Sequence, residues 1–195
     1  MALVRLEKPK VTYADLEAWP DDGRRYELYD GEVYVCPAPR PRHQMALAEI
    51  HDRLRKYAER RGGLALMSPI DIVFDEHNVL QPDIAFFEAA RRHHVKLDEA
   101  IRVPADVVVE VISPGTVWND LGRKKATFAR FGVPEYWVLD PHIERIERHS
   151  LTSSAYRLTL SANPNESFES IVLTGFSCPV AGLFQFSEGR RAPSR

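Results

Sequence analysis

The sequence predicts an α/β fold of mixed helices and strands, on three observations. The stretch DVVVEVI at Asp106–Ile112 is β-branched on both faces, the pattern of a strand covered on both sides. RYELYDGEVYVC alternates around Asp30-Gly31, the strongest short-range hairpin signal. Between Arg42 and Arg61 the apolar residues Leu47, Ile50, Leu54 and Tyr57 recur at helical spacing until Gly62-Gly63 closes the run.

With 195 residues, 44% of them hydrophobic, the chain can bury one sizeable core, and no Pro/Ser/Gly linker divides it. One domain is therefore expected over 12–186, with a frayed tail at 187–195. No apolar run approaches the roughly 20 residues a membrane helix needs, and MALVRLEKPK lacks the apolar core of a secretory signal. A cytoplasmic protein without membrane contact is the expectation. Cys36 and Cys178 have neither metal-ligand spacing nor disulfide density and read as reduced core thiols. A formal net charge of −2 and a pI near 6.4 argue against a protein that coats nucleic acid by bulk electrostatics. Local basic clusters remain at Arg40/Arg42, at Arg53/Lys56/Arg60 on one helix face, and at Arg123–Lys125.

In chain order, Thr12 caps a short helix, with Asp15 in capping-box relation, and Pro20 to Gly23 stops it. The hairpin strands run from Arg25 to Tyr29 and from Glu32 to Cys36, and Glu27 lies in the first. His43 extends the apolar stripe of the following helix at its N-terminal end, where a core or capping role competes with a site role. LALMSPIDIVFDEHNVLQPDIAFFE reads as two strands joined by a turn at Asp75–Asn78, with Asp83 a strand-start carboxylate after Pro82. Alone, Asp83 would be a turn or capping aspartate. The segment at 89–103 reads as loop and short helix, with His93-His94 on the surface. After the central strand, Ser113-Pro114-Gly115 breaks the pattern, a helix starts at Asn119 or Asp120, and Gly132-Val133-Pro134 ends it. EYWVLDP, IERIERHSL and YRLTLSA read as three more strands, the last two a hairpin, and ESFESIVLTGFSCPVAGLF as an edge strand and a packing segment.

Glu110 is the anomaly in this pattern, because an unpaired carboxylate in an apolar layer costs several kcal/mol. A bound cation or a positive side chain must compensate it, and the next helix offers Lys124 and Lys125. At about 100° per residue, Leu121, Phe128 and Phe131 define an apolar face; Lys124 lies roughly 30° from its centre and Lys125 roughly 70° away on the other side. Lys124 is the inward lysine, for which an exposed pair with Asp120 would be the bland alternative. Two carboxylates, Asp83 and Glu110, with a cation nearby suit a divalent-metal hydrolase: Mg²⁺ takes a couple of protein oxygens, and a lysine orients or deprotonates the water.

PD at Pro82-Asp83, EVISP at Glu110–Pro114, D-x-x-x-K at Asp120–Lys124 and GVPEYWVLDP at Gly132–Pro141 resemble the Uma-type putative restriction endonuclease family. YELYDGEVYVCPAPRPRHQ and the L-x-G-F…LF pattern at Leu173–Phe184 extend the likeness over nearly the whole chain from about Thr12. The resemblance implies a restriction-endonuclease-like PD-(D/E)XK fold, a mixed β-sheet flanked by helices, with Asp83 as the PD aspartate and Glu110 as the next acidic residue. Where the superfamily has its lysine, two residues after Glu110, this chain has Ile112, and the resemblance makes Lys124 the migrated replacement. Glu27 and His43 match further family positions and are implied as metal-shell or phosphate-facing residues. The expectation is a Mg²⁺-dependent endonuclease acting on DNA, with Mn²⁺ as substitute. Asp83, Glu110 and the Val111 carbonyl would hold the metal, Lys124 would position water or stabilise charge, and a homodimer would bring two sites. A non-catalytic nuclease-fold module that binds nucleic acid or protein, and a small-molecule phosphohydrolase, are the competing classes.

Overall fold

The computed structural model describes residues 9–113 and 119–185. Pro114 and Gly115 of the expected break, the side chains of Asp120 and Leu121, and the tail at 187–195 lie outside the described residues.

Helix α1 (Tyr13–Glu17) opens with a closed capping box: the Thr12 hydroxyl accepts from Asp15 N at 3.2 Å, and Thr12 N donates to Asp15 Oδ2 at 2.8 Å. Strands β1 (Arg25–Tyr29) and β2 (Glu32–Cys36) pair antiparallel around Asp30 and Gly31, whose positive φ values of 52° and 82° are what a two-residue hairpin turn demands. Helix α2 (Pro41–Arg61) ends on Gly62 at φ 80°.

The stretch expected to hold two strands holds four: β3 (Leu64–Met67), β4 (Ile72–Asp75), β5 (Asn78–Leu80) and β6 (Ile84–Phe87). Pro69 and Pro82 supply no ladder N–H, so each apolar run divides beside its proline. The outer pieces, β3 and β6, pair with each other, whereas the β4–β5 hairpin turns at Asp75–Asn78 as expected and joins the N-terminal hairpin.

Beyond β7 (Val107–Val111), a π-helical turn at Asn119–Lys124 runs into α3 (Lys125–Arg130), then β8 (Glu135–Asp140), β9 (Arg145–Thr152) and β10 (Ala155–Ala162). The main sheet has the order β10-β9-β8-β7-β6-β3; β7 and β8 are parallel and the other neighbours antiparallel, so the sheet is mixed. A smaller sheet has the order β2-β1-β5-β4. The expected C-terminal edge strand is instead a separate ribbon, β11 (Ser167–Glu169) with β12 (Ser177–Pro179), followed by one 3-10 turn at Val180–Leu183.

β7 is covered on both faces, as its composition required. Val107, Val109 and Val111 pack with Leu47, Ile50 and Leu54 of α2, while Val108 joins Tyr29, Leu80 and Phe128 on the other side. Truncating Phe128 there would cost about 3–5 kcal/mol. Glu135 is buried too, and its carboxylate accepts from Trp137 Nε1 (2.8 Å), Ser170 Oγ (2.7 Å) and Ile171 N (2.9 Å), which ties the C-terminal segment to the sheet. No described helix is long and apolar enough to cross a membrane.

Candidate active-site cleft

Strand alternation sends Glu110 to the face carrying Val108 and Ile112, towards the small sheet. The register Ile84↔Val109, continued one residue, sets Asp83 opposite Glu110 at the end of β7. Asp83 Oδ2 accepts from Val111 N at 2.9 Å and lies 3.0 Å from His43 Nε2, which the first turn of α2 delivers. Burial alone would push the Asp83 carboxyl up, but the hydrogen bond and charge of His43, the Lys124 ammonium and the Val111 N–H outweigh it and hold it below the ordinary aspartate range. In an extended strand a residue's C=O leaves on the same edge as its N–H, so the Val111 carbonyl faces the Asp83 side.

Lys124 enters from the π-helical turn. Its Nζ lies 2.9 Å from Glu110 Oε1, 3.1 Å from Glu27 Oε1 and 2.8 Å from the Gln81 carbonyl oxygen. Burial by itself would depress this amine, yet the Glu110 and Glu27 carboxylates overcome that and raise its pKa well above the ordinary lysine value. The group is a permanent ammonium near neutral pH. Glu27 is equally committed: Oε2 accepts from Tyr29 OH at 2.8 Å, and Oε1 accepts from Gln81 N at 2.8 Å besides the ammonium. Both its oxygens serve protein donors: Glu27 braces Lys124 and the Gln81 peptide, and His43 braces Asp83, while both line the cleft.

These groups line one open cleft of about 450 Å³. Its other wall consists of Tyr34, Cys36, Pro37, Ala38 and Pro39 with Arg123. Cys36 was expected in the core; it lines the cleft, and burial together with Glu27 pushes its thiol up to about 12, so it stays neutral and unreactive. The sequence reading missed Tyr34 and the Gln81 peptide, and had Arg123 only as part of a basic cluster. Tyr34 was within reach, since the turn at Asp30-Gly31 sets Glu27 directly across from it. Gln81 carries no such signal, because its backbone does the work.

The structure separates the lysine pair. Lys125 Nζ lies 2.8 Å from His149 Nδ1, away from the carboxylates, and burial lowers its pKa. The basic face of α2 is charge-paired where a phosphate patch was considered: Arg53 bridges Glu49 at 2.9 Å and Lys56 bridges Asp52 at 2.6 Å. At 1.5 Å rise per residue these side chains also begin about 15 Å along the axis from His43. His93 and His94 are exposed, as expected.

Asp83, Glu110 and the Val111 carbonyl form a hard-oxygen donor set suited to Mg²⁺, which is commonly held by one or two carboxylates and keeps several waters. Among the described residues no three His, Cys, Asp or Glu side chains converge into a cage of the kind a zinc or calcium site needs. An ionised Asp83 opposite Glu110 fits the simpler requirement.

No curated protein matches the chain. A crystal structure from Anabaena variabilis ATCC 29413, described as a putative nuclease belonging to DUF820, shares the fold with a TM-score of 0.74 at 16% identity, over 90% of this chain and 98% of that one. The family model Uma2, "Putative restriction endonuclease", matches residues 13–181, from the capped α1 through Asp83, Glu110 and Lys124 to the C-terminal ribbon, and the chain belongs to that family.

Proposed function

We propose that the cleft hydrolyses phosphodiester bonds in DNA, with Mg²⁺, or Mn²⁺ in its place, held by Asp83, Glu110 and the Val111 carbonyl. The observation that carries this reading is an ammonium held charged between Glu110 and Glu27 beside the Asp83 carboxylate, all in one cleft. Bound there, the ion would neutralise phosphate charge and make a water nucleophilic. The chain's own groups do the rest. Val111 N–H and His43 keep Asp83 ionised and pointed. Lys124, protonated throughout the neutral range, is unsuited to take a proton from water; it stabilises negative charge as it grows on the phosphate. Glu27 holds that ammonium in place. A homodimer would present two such clefts, one for each strand.

One observation favours a second reading. The three N–H groups of Lys124 face three protein acceptors, a saturation that suits a binding module without cleavage.

The test is incubation of the full chain with supercoiled, linear and branched DNA, with Mg²⁺, with Mn²⁺ and with chelator. Metal-dependent cleavage that Asp83→Asn and Glu110→Gln both abolish is the expected outcome. DNA binding without cleavage by wild type would select the binding module. Hydrolysis of a small phosphodiester with DNA left intact would select the small-molecule phosphohydrolase. Nicking without double-strand cleavage would show each cleft acting alone.

A further inference from the structure

The two walls of the cleft differ in chemistry. One carries the carboxylates and the ammonium; the other is formed by Tyr34 and Cys36 of β2, the prolines that follow that strand, and Arg123. The Arg123 guanidinium carbon sits 4.2 Å from the centroid of the Tyr34 ring, and Tyr29 meets that ring edge-on at 5.4 Å and 86°, which fixes its plane. The Arg123 side chain remains 44% exposed, and among the described residues its ion pair is with Glu32, 3.6 Å away and itself 72% exposed, a weak restraint. Pro37 and Pro39 continue the wall without an N–H to offer.

Two short links join this surface to the charged groups. Arg123 and Lys124 are consecutive, about 3.8 Å apart at Cα. Tyr34 is the cross-strand partner of Glu27, which places their Cβ atoms about 5 Å apart on one face of the hairpin. A phosphate at the Asp83/Glu110 end therefore has its own nucleoside within reach of the Arg123–Tyr34 stack.

Charge balance points the same way. The cleft sets Glu27, Asp83 and Glu110 against Arg25, Arg123 and Lys124. The chain's net charge is −2, and Arg53 and Lys56 on α2 are already paired. Among the described residues, the cleft charges and the α2 cations thus give a duplex backbone little net positive charge to track. A cleft of about 450 Å³ also has room for a single nucleotide released from pairing. Stacking on an aromatic–guanidinium platform supplies affinity that tolerates any base and favours one already unpaired.

We propose that the Arg123–Tyr34 stack is a base-binding subsite that takes the unpaired nucleobase next to the scissile phosphate, which makes single-stranded or frayed DNA the preferred substrate over intact duplex. This rests on the phosphodiesterase reading.

The test measures equilibrium binding, with chelator present, of a labelled single-stranded oligonucleotide, the same strand with one abasic position, and a closed hairpin duplex. Wild type is expected to bind the intact strand about 5- to 100-fold more tightly than either alternative, or than Tyr34→Leu and Arg123→Met bind it. Tyr34→Phe, which keeps the ring, should retain most of the affinity. Both platform variants should lose the preference for intact over abasic strand; Arg123→Met, altering an exposed side chain, keeps the comparison valid where Tyr34→Leu unfolds. Equal binding of duplex and single strand by wild type, or unchanged abasic discrimination in Arg123→Met, overturns the subsite. Where the same preparation still cleaves DNA with metal, only the subsite falls; where it neither binds nor cleaves any strand, the phosphodiesterase reading falls with it.

Discussion

Removing the Lys124 ammonium should produce a loss of stability whose size and pH dependence follow from its contacts. Glu110 Oε1 at 2.9 Å and Glu27 Oε1 at 3.1 Å each attract Nζ by about 5–6 kcal/mol at an effective dielectric of about 20, before desolvation is subtracted. Breaking such a buried pair from one side typically costs about 3–5 kcal/mol, since the partner charge stays buried. Glu27 keeps its bonds from Tyr29 and Gln81, and both carboxylates lose the ammonium they share. Lys124→Met, which preserves the apolar stem, should therefore lower Tm near pH 8 by roughly 6–20 °C for a chain of this size.

The pH profile separates this cause from lost packing. Lys124 is raised in the folded state, so its contribution is fully present below the unfolded value near 10.4 and is lost as pH climbs through the folded pKa. Wild type should lose that increment only in the strongly alkaline range. In Lys124→Met the buried Glu110 and Glu27 carboxylates, without the ammonium beside them, are more readily protonated, so the deficit should shrink as pH falls towards the carboxylate range. Thermal unfolding of both proteins, followed by circular dichroism from pH 5 to 11, checks this. Equal Tm at pH 8, or a deficit that does not vary with pH, would refute the ammonium's position between the two carboxylates. With saturating metal, Lys124→Met should also cleave at least about 10²-fold more slowly than wild type, and Lys125→Met should stay close to it.

Four shorter tests address the rest of the site. Mg²⁺ or Mn²⁺ should raise wild-type Tm, and calorimetric titration should show that response lost in Asp83→Ala and Glu110→Ala, because ligand binding to the folded state alone is stabilising. Glu27→Gln should leave metal affinity within a few-fold while cutting cleavage, as it removes only the second counter-charge of Lys124; a lost metal response would instead make Glu27 a ligand. Asp83 lies below its ordinary range in the folded protein, so its contribution is present above the unfolded value near 3.9 and disappears as pH falls through the folded one; His43→Leu should move that acid loss to higher pH in a urea titration. Changing Arg53, Lys56 and Arg60 together to Gln should leave the salt slope of DNA binding unaltered, given the pairing of Arg53 and Lys56.

Much of the fold and part of the cleft were legible from residue chemistry. Valine on both faces of β7 required cover on both sides, and an acidic residue in that strand required a cation. The turn at Asp30-Gly31 set the hairpin register. What was not legible depends on contacts distant in sequence. Nothing local distinguishes β4 and β5, which leave the main sheet, from β3 and β6, which stay in it. The Gln81 peptide serves the site through its N–H and C=O, which every residue possesses. The α2 cations looked like a patch because acidic partners three and four residues away count equally as surface until pairing is seen.

Lys124 is the lysine that faces inward, beside Glu110, although part of the geometry that pointed to it does not hold. A turn of 100° per residue was assumed from Asp120 onward, but Asn119–Lys124 is π-helical and winds more loosely. Lys124 itself has α-helical angles, φ −58° and ψ −50°, at the cap of α3, so its four-residue spacing to buried Phe128 obeys the α-helical rule. The spacing that mattered lies in the regular half. This arrangement also accounts for the crowd of acceptors around the ammonium. A lysine two residues after Glu110 would share its face and be fixed by the strand; that place holds Ile112, packed on the side of β7 that carries Val108 and Phe128. An ammonium supplied from a separate helical turn has no strand to fix it, and Glu27 with the Gln81 carbonyl restores the constraint from the neighbouring sheet and its connecting segment. Glu27 should therefore be dispensable once a lysine is supplied from the strand itself. Placing a lysine at position 112 in a Lys124→Met background puts this to the test: recovered cleavage should then be insensitive to Glu27→Gln, and recovery that still needs Glu27 would mean that the carboxylate serves the cleft by another route.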